Sequence, residues 1–209
     1  RVSASSATPD LGLASPLVAD VAPGSNHVVS FEALDTTAFT QAVKVDGSPV
    51  AFNSGSSSYE LPPVRANQQV VVTFVSRSMY SLLTLSTTAF QGSSATPPLC
   101  LGKSDKDDCS KQGDSLISRG MPIGKAVQVT APESFCPTGN NCSNEDRKYF
   151  KYWQDRATNR QYDNVVLMVN ITKDDLHLEA VYASRGIPND SLINPPILLN
   201  QGAGTSQGN

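Results

Sequence analysis

Residues 69–75, QVVVTFV, and 81–90, SLLTLSTTAF, decide the fold. Both are dense in β-branched side chains and bounded by polar turns, so each reads as a strand. Upstream, His27–Leu34 (HVVSFEAL) has the same character. In Ala42–Phe52 (AVKVDGSPVAF), Val43, Val45 and Val50 flank Asp46-Gly47, a dipeptide suited to the positive φ that a tight hairpin demands. Residues 27–90 are therefore expected to form a β-sandwich-like N-terminal domain.

The segments on either side differ in composition. Residues 1–26 are rich in Ser, Ala and Pro without a sustained period, which predicts a flexible tether joining the body near Leu17–Val21. Residues 91–199 are expected to hold a long irregular connection, a strand at Lys125–Thr130 and an α/β region. Val165–Ile171 (VVLMVNI) is an apolar run of buried-strand length. Glu145–Gln161 has good helix formers and early acids, with Asn144 as N-cap, and predicts a helix. Thr172–Ser184 predicts a second, with Leu176, Ala180 and Ala183 on one side. Residues 200–209 read as a disordered tail. The expected class is mainly β (α+β): an antiparallel sandwich-like body with one or two helices in the C-terminal half.

The four cysteines fall in two short polar loops, Cys100 to Cys109 and Cys136 to Cys142. Their spacing fits neither a redox CxxC nor a zinc site. Two local disulfides follow, each worth about 2–3 kcal/mol by chain entropy and persistent in an oxidising compartment; a crossed pairing between the loops is the alternative. Export is therefore expected. A cleaved signal peptide or a lipidated cysteine upstream of Arg1 is compatible with the sequence, as is peripheral or lipid-anchored membrane association.

The 209 residues carry 16 Lys plus Arg against 19 Asp plus Glu, and no basic block follows a phosphate backbone, so nucleic acid is not an expected partner. No stretch reaches the roughly 18 consecutive apolar residues of a membrane helix. GxSxG, HExxH, Walker and EF-hand motifs are absent, and the two histidines, His27 and His177, have no metal-spaced partner. No enzyme, cofactor or metal site is expected. Asp105, Asp107 and Asp108 supply hard oxygens for calcium, but Cys109 falls where an oxygen ligand is wanted, and a solvated loop is the competing reading.

The most site-like set is aromatic: Tyr149, Phe150, Tyr152, Trp153 and Tyr162, interleaved with Lys148, Lys151, Asp155, Arg156 and Arg160. On a helix, Tyr149, Tyr152 and Trp153 share one face. Such rings offer a sugar or a protein partner stacking area while a charged group such as Arg156 fixes hydroxyls. The same face equally suits packing over Val165–Ile171.

Three stretches, FEALDTTAFTQAVKVDG, SSSYELPPVRANQQVVVTFVS and VVLMVNITKDDL followed by YASRG, resemble the periplasmic protein of bacterial maltose operons and its relatives. They cover about residues 29–76 and 165–190. The resemblance implies a β-rich protein of the periplasm or outer-membrane surface, associated with carbohydrate uptake, with no catalytic residues to carry over. The expected function is a non-enzymatic envelope protein binding a carbohydrate or an envelope protein; a surface adhesin or appendage subunit, periplasmic or extracellular, is the alternative. Oligomeric state is left open.

Overall fold

A computed structural model describes residues 1–87, 95–102, 108–109, 116–138 and 142–184. Its strands are Val2–Ser6 (β1), Gly12–Ser15 (β2), Val18–Ala19 (β3), His27–Ala33 (β4), Ala38–Val45 (β5), Ser48–Pro49 (β6), Ser58–Leu61 (β7), Gln68–Ser76 (β8) and Tyr80–Thr87 (β9). There follow Cys100–Leu101 (β10), Asp108–Cys109 (β11), Leu116–Pro122 (β12), Ala126–Thr130 (β13), Ser134–Phe135 (β14), Lys148–Asp155 (β15), Gln161–Tyr162 (β16), Val166–Asn170 (β17) and Leu176–Ser184 (β18). The chain is mainly β, and no helix occurs among the described residues.

The chain divides into two compact units. Unit 1 comprises Arg1–Thr84, Ile117–Ile123 and Thr172–Leu176; unit 2 comprises the described parts of Leu85–Leu116, Gly124–Ile171 and His177–Asn209. The first boundary falls inside β9, not at residue 90, and two later segments return to unit 1.

Unit 1 is a β-sandwich of a five-stranded sheet, β3-β1-β8-β5-β6, and a three-stranded sheet, β2-β4-β7. Its core joins Val43, Val70, Val72 and Phe74 of the first to Ala14, Val29, Phe31 and Leu61 of the second. Alternation produces this: Val70, Val72 and Phe74 point inward, Val71 and Thr73 outward. Each large apolar side chain so buried contributes about 1.5–3 kcal/mol. The expected hairpin is present, with Val45 paired to Ser48 across Asp46 (φ 51°) and Gly47 (φ 79°), both in the left-handed region of a tight two-residue turn.

The N-terminal segment is not a tether. β1 runs parallel to β8 from Val2–Gln68 to Ser6–Val72, and Val2 and Ala4 are core residues. Beyond β1, Thr8 continues the ladder with its side chain: Oγ1 donates to Phe74 O (3.1 Å) and accepts from Phe74 N (2.8 Å). The Ser/Ala-rich composition misleads because in β1 only Val2 and Ala4, on alternate positions, are buried, and both are small.

In unit 2, β11-β10-β13-β17 form one sheet. Val166 is exposed while Leu167 and Val169 are buried, so the apolar run at 165–171 packs through one face. β18 lies between the end of β9 and β15, and β15 also pairs with β14 and β16. The two expected helices are thus strands β15 and β18. Aromatic residues favour strands, and Leu178, Ala180 and Tyr182 bury with period two, not with the helical period assigned to Leu176, Ala180 and Ala183. The expected tail at 200–209 lies outside the described residues.

A Cβ built on Gly12 would overlap the Phe74 ring, itself buried in the core. Gly12→Ala is expected to cost about 1–3 kcal/mol in chemical denaturation, and Phe74→Leu to relieve part of that cost in the double variant. Additive losses would show that Gly12 does not pack on Phe74.

Candidate functional site

The aromatic segment is built by a register shift. β15 pairs with β18 through Phe150–Tyr182 and then Tyr152–Val181, so Lys151 is an extra residue. Lys151 and Tyr152 together oppose Val181, the arrangement of a β-bulge. Past the bulge the side chains change parity. Phe150, Trp153 and Asp155 therefore share one face with Tyr182, Ala180 and Leu178, while Tyr149, Tyr152 and Gln154 share the other with Ala183, Val181 and Glu179.

The first face is interior. Trp153 has no exposed surface. Its ring meets Phe150 edge-on at 5.9 Å, Phe150 meets Tyr182 at 5.7 Å, and Tyr182 meets Phe135 at 5.0 Å. Tyr182 donates its hydroxyl to Pro132 O at 2.9 Å, and burial pushes its phenol pKa far up. Asp155 serves the turn to β16: its carboxylate accepts from Ala157 N (2.9 Å) and Thr158 Oγ1 (2.6 Å). Of the expected site residues, Trp153 is thus core, and the helical face joining it to Tyr149 and Tyr152 does not exist.

The second face is half-buried and carries Tyr149 and Tyr152, and Lys151 at the bulge is likewise half-buried. Arg156, just past the strand, donates its backbone N–H to His177 O (2.9 Å) and pairs its guanidinium with Glu179 Oε2 at 3.0 Å. His177 Nε2 and Ser86 Oγ lie 2.7 Å apart in a hydrogen bond whose donor follows the imidazole tautomer. Burial, aided by the Arg156 charge, lowers the His177 pKa against opposing pulls from Glu179 and Asp155. Hydroxyl, imidazole and carboxylate are residue types of nucleophilic catalysis, but the Glu179 carboxylate is engaged with Arg156. Sequence reading missed His177, Glu179 and Ser86, because a helix assigned to 172–184 scatters residues that a strand places in one row.

Both disulfides form as sequence neighbours. Cys100 and Cys109 are directly opposed on β10 and β11, with Cα atoms 4.0 Å apart; Cys136 and Cys142 close the second loop at 5.8 Å. Two such bonds are features of proteins matured in an oxidising environment. Asp105 and Asp107 lie outside the described residues, as does the side chain of Asp108. Among the described residues, no group of three or more His, Cys, Asp and Glu is placed to hold a metal ion.

A pocket of about 390 Å³ in unit 1 is lined by Arg1, Ser3, Val18, Asp46 and Asn67–Gln69. Two of its polar contacts are internal, with Asp46 Oδ1 accepting from Gln69 N at 2.7 Å and the Arg1 amino group donating to Asn67 at 3.2 Å, while Gln68 Oε1 is buried without a hydrogen-bond partner. It has no aromatic ring, and the face of β15 and β18 is the better candidate. Comparison with protein-family models, curated proteins and solved structures gives no match to this chain.

Two outcomes are expected from this geometry. Trp153→Ala should cost about 3–5 kcal/mol in denaturant melts, whereas Tyr152→Ala should cost far less; the reverse order would place the register wrongly. The second concerns pH. The neutral His177 of the fold becomes a proton acceptor near pH 6.5 on unfolding, so below that pH the unfolded chain binds more protons and stability falls with pH. His177→Gln should flatten the stability profile between about pH 7 and pH 5; wild-type and variant profiles that stay parallel would dismiss the effect.

Proposed function

We propose that this chain is an exported, non-enzymatic binding protein of the bacterial envelope, periplasmic or outer-membrane-associated, and that it takes carbohydrate on the outer face of β15 and β18. The observation carrying this reading is the pairing of Tyr149 and Tyr152 on that face beside the Arg156–Glu179 ion pair. Rings held on a strand offer flat apolar area, and adjacent charged groups suit hydroxyls in a defined orientation. The two disulfides support export. The resemblance to the maltose-operon periplasmic protein supports both compartment and carbohydrate association.

Calorimetric titration with a panel of neutral and acidic oligosaccharides tests the reading. At least one sugar should bind, and Tyr149→Ala or Tyr152→Ala should weaken it about three- to tenfold with unchanged melting. Silence across the panel, with self-association or capture of an envelope protein instead, would favour the adhesin or protein-partner role.

A further inference from the structure

Burial alternates along β2, β4 and β7, the three-stranded sheet of unit 1, so Ala14, Val29, Phe31 and Leu61 enter the core while the residues between them face outward. The register fixes the outward pattern. Leu13 lies opposite Glu32, and Val28 opposite Glu60; between these two rows Ser30 stands opposite Ser15 on one side and Ser58 on the other. Leu13 and Val28 are 51% and 50% exposed, and Leu34, just past β4, is exposed as well. Leu13 and Val28 form one diagonal and Glu32 and Glu60 a second, each covering four strand residues and one strand spacing, about 14 Å. The acidic diagonal runs beside the aliphatic one, a single strand spacing of about 4.8 Å away. Charge in this part of the chain is one-sided. Residues 2–64 contain six acids, Asp10, Asp20, Glu32, Asp35, Asp46 and Glu60, against one base, Lys44, which belongs to β5 in the other sheet. No Lys or Arg lies on β2, β4 or β7. Glu60 accepts from Asn26 Nδ2 at 2.8 Å, a neutral donor that leaves its charge uncancelled.

We infer that this face docks a cationic amphipathic helix of a partner protein, with the helix's aliphatic side chains on Leu13 and Val28 and its Lys or Arg flank on Glu32 and Glu60. The site lies in unit 1 and does not rest on the carbohydrate reading. A helix rises about 1.5 Å per residue, so about nine or ten residues run the length of both diagonals. Apolar residues at i, i+3 or i+4 and i+7 supply the stripe that the aliphatic diagonal needs, and basic residues beside that stripe meet the carboxylates. The short serine side chains between the two rows let such a helix come close. An acidic helix would bring like charge to Glu32 and Glu60, and so would an anionic lipid surface. A second copy of this face would set the same acids against each other.

The test is titration of the full chain, read by fluorescence anisotropy, with a labelled helical peptide of about 14 residues built from Leu and Lys at that spacing, and with its counterpart carrying Glu for Lys. Co-sedimentation with mixed phosphatidylcholine and phosphatidylglycerol vesicles runs beside it. The Leu/Lys helix should bind about tenfold or more tighter than the Leu/Glu helix and lose most of that margin between about 50 and about 500 mM NaCl. Glu32→Gln and Glu60→Gln should each weaken it about two- to fivefold. Ser30→Arg puts bulk and positive charge in the middle of the face and should weaken it about tenfold or more. All three side chains are exposed, so melting should be unchanged; should Ser30→Arg melt lower than wild type, the two glutamine variants carry the test. No binding of the Leu/Lys helix, equal binding of the two helices, or binding that survives these substitutions overturns the inference. Vesicle binding lost in the same variants, with peptide binding untouched, assigns the face to a membrane and overturns it as well.

Discussion

The single extra residue in β15 governs what unit 2 can do. With Lys151 taken out of register, Phe150 and Trp153 fall on one side of the strand although they are three apart, and Tyr149 and Tyr152 fall on the other. Without the bulge, Trp153 would share the Tyr149 face, and the interior would lose its largest side chain. Cost and gain are both local. One unpaired position in the ladder is exchanged for an interior row of Phe150, Trp153, Tyr182 and Phe135. The same shift sets Tyr149 and Tyr152 together on the outer side, so packing and the candidate face have one cause.

That cause also explains what the sequence concealed. A spacing of three between aromatic residues is the signature of a helix, and a bulged strand reproduces it. Once Glu145–Gln161 is read as helical, Trp153 joins Tyr149 and Tyr152, and the real neighbours on β18 disappear from view. Strands β4, β8 and β9 were legible because their segments are rich in β-branched and other apolar side chains and are bounded by polar turns. The hairpin at Asp46-Gly47 was legible because its turn chemistry is local. β1 was not: its partner β8 is more than sixty residues away and parallel, and Val2 and Ala4 are too small to announce a core strand. Local disulfides were readable from spacing alone; the row Ser86, His177, Glu179 and Arg156 was not, since register brings it together.

Sheet edges show how the same chain limits unwanted pairing. β3 and β6, which end the larger sheet of unit 1, are two residues long, and β6 contains Pro49. A proline gives no N–H to an incoming strand, and a two-residue strand gives little template. In unit 2 the edge strand β11 is likewise short and is held to β10 by Cys100–Cys109. The bond fixes a pairing that two residues of ladder would barely hold.

A rigid β scaffold also changes what a modest site is worth. Tyr149 and Tyr152 sit on a strand hydrogen-bonded along its length to β18, so their Cα positions are set before any ligand arrives. Each ring has two side-chain torsions to order, and Arg156 is already held by Glu179. Association is then charged less for ordering the protein, and contacts of about 0.5–1.5 kcal/mol per ring count nearly in full. On the carbohydrate reading we propose, a sugar meeting this face would therefore lose little affinity to ordering of the protein.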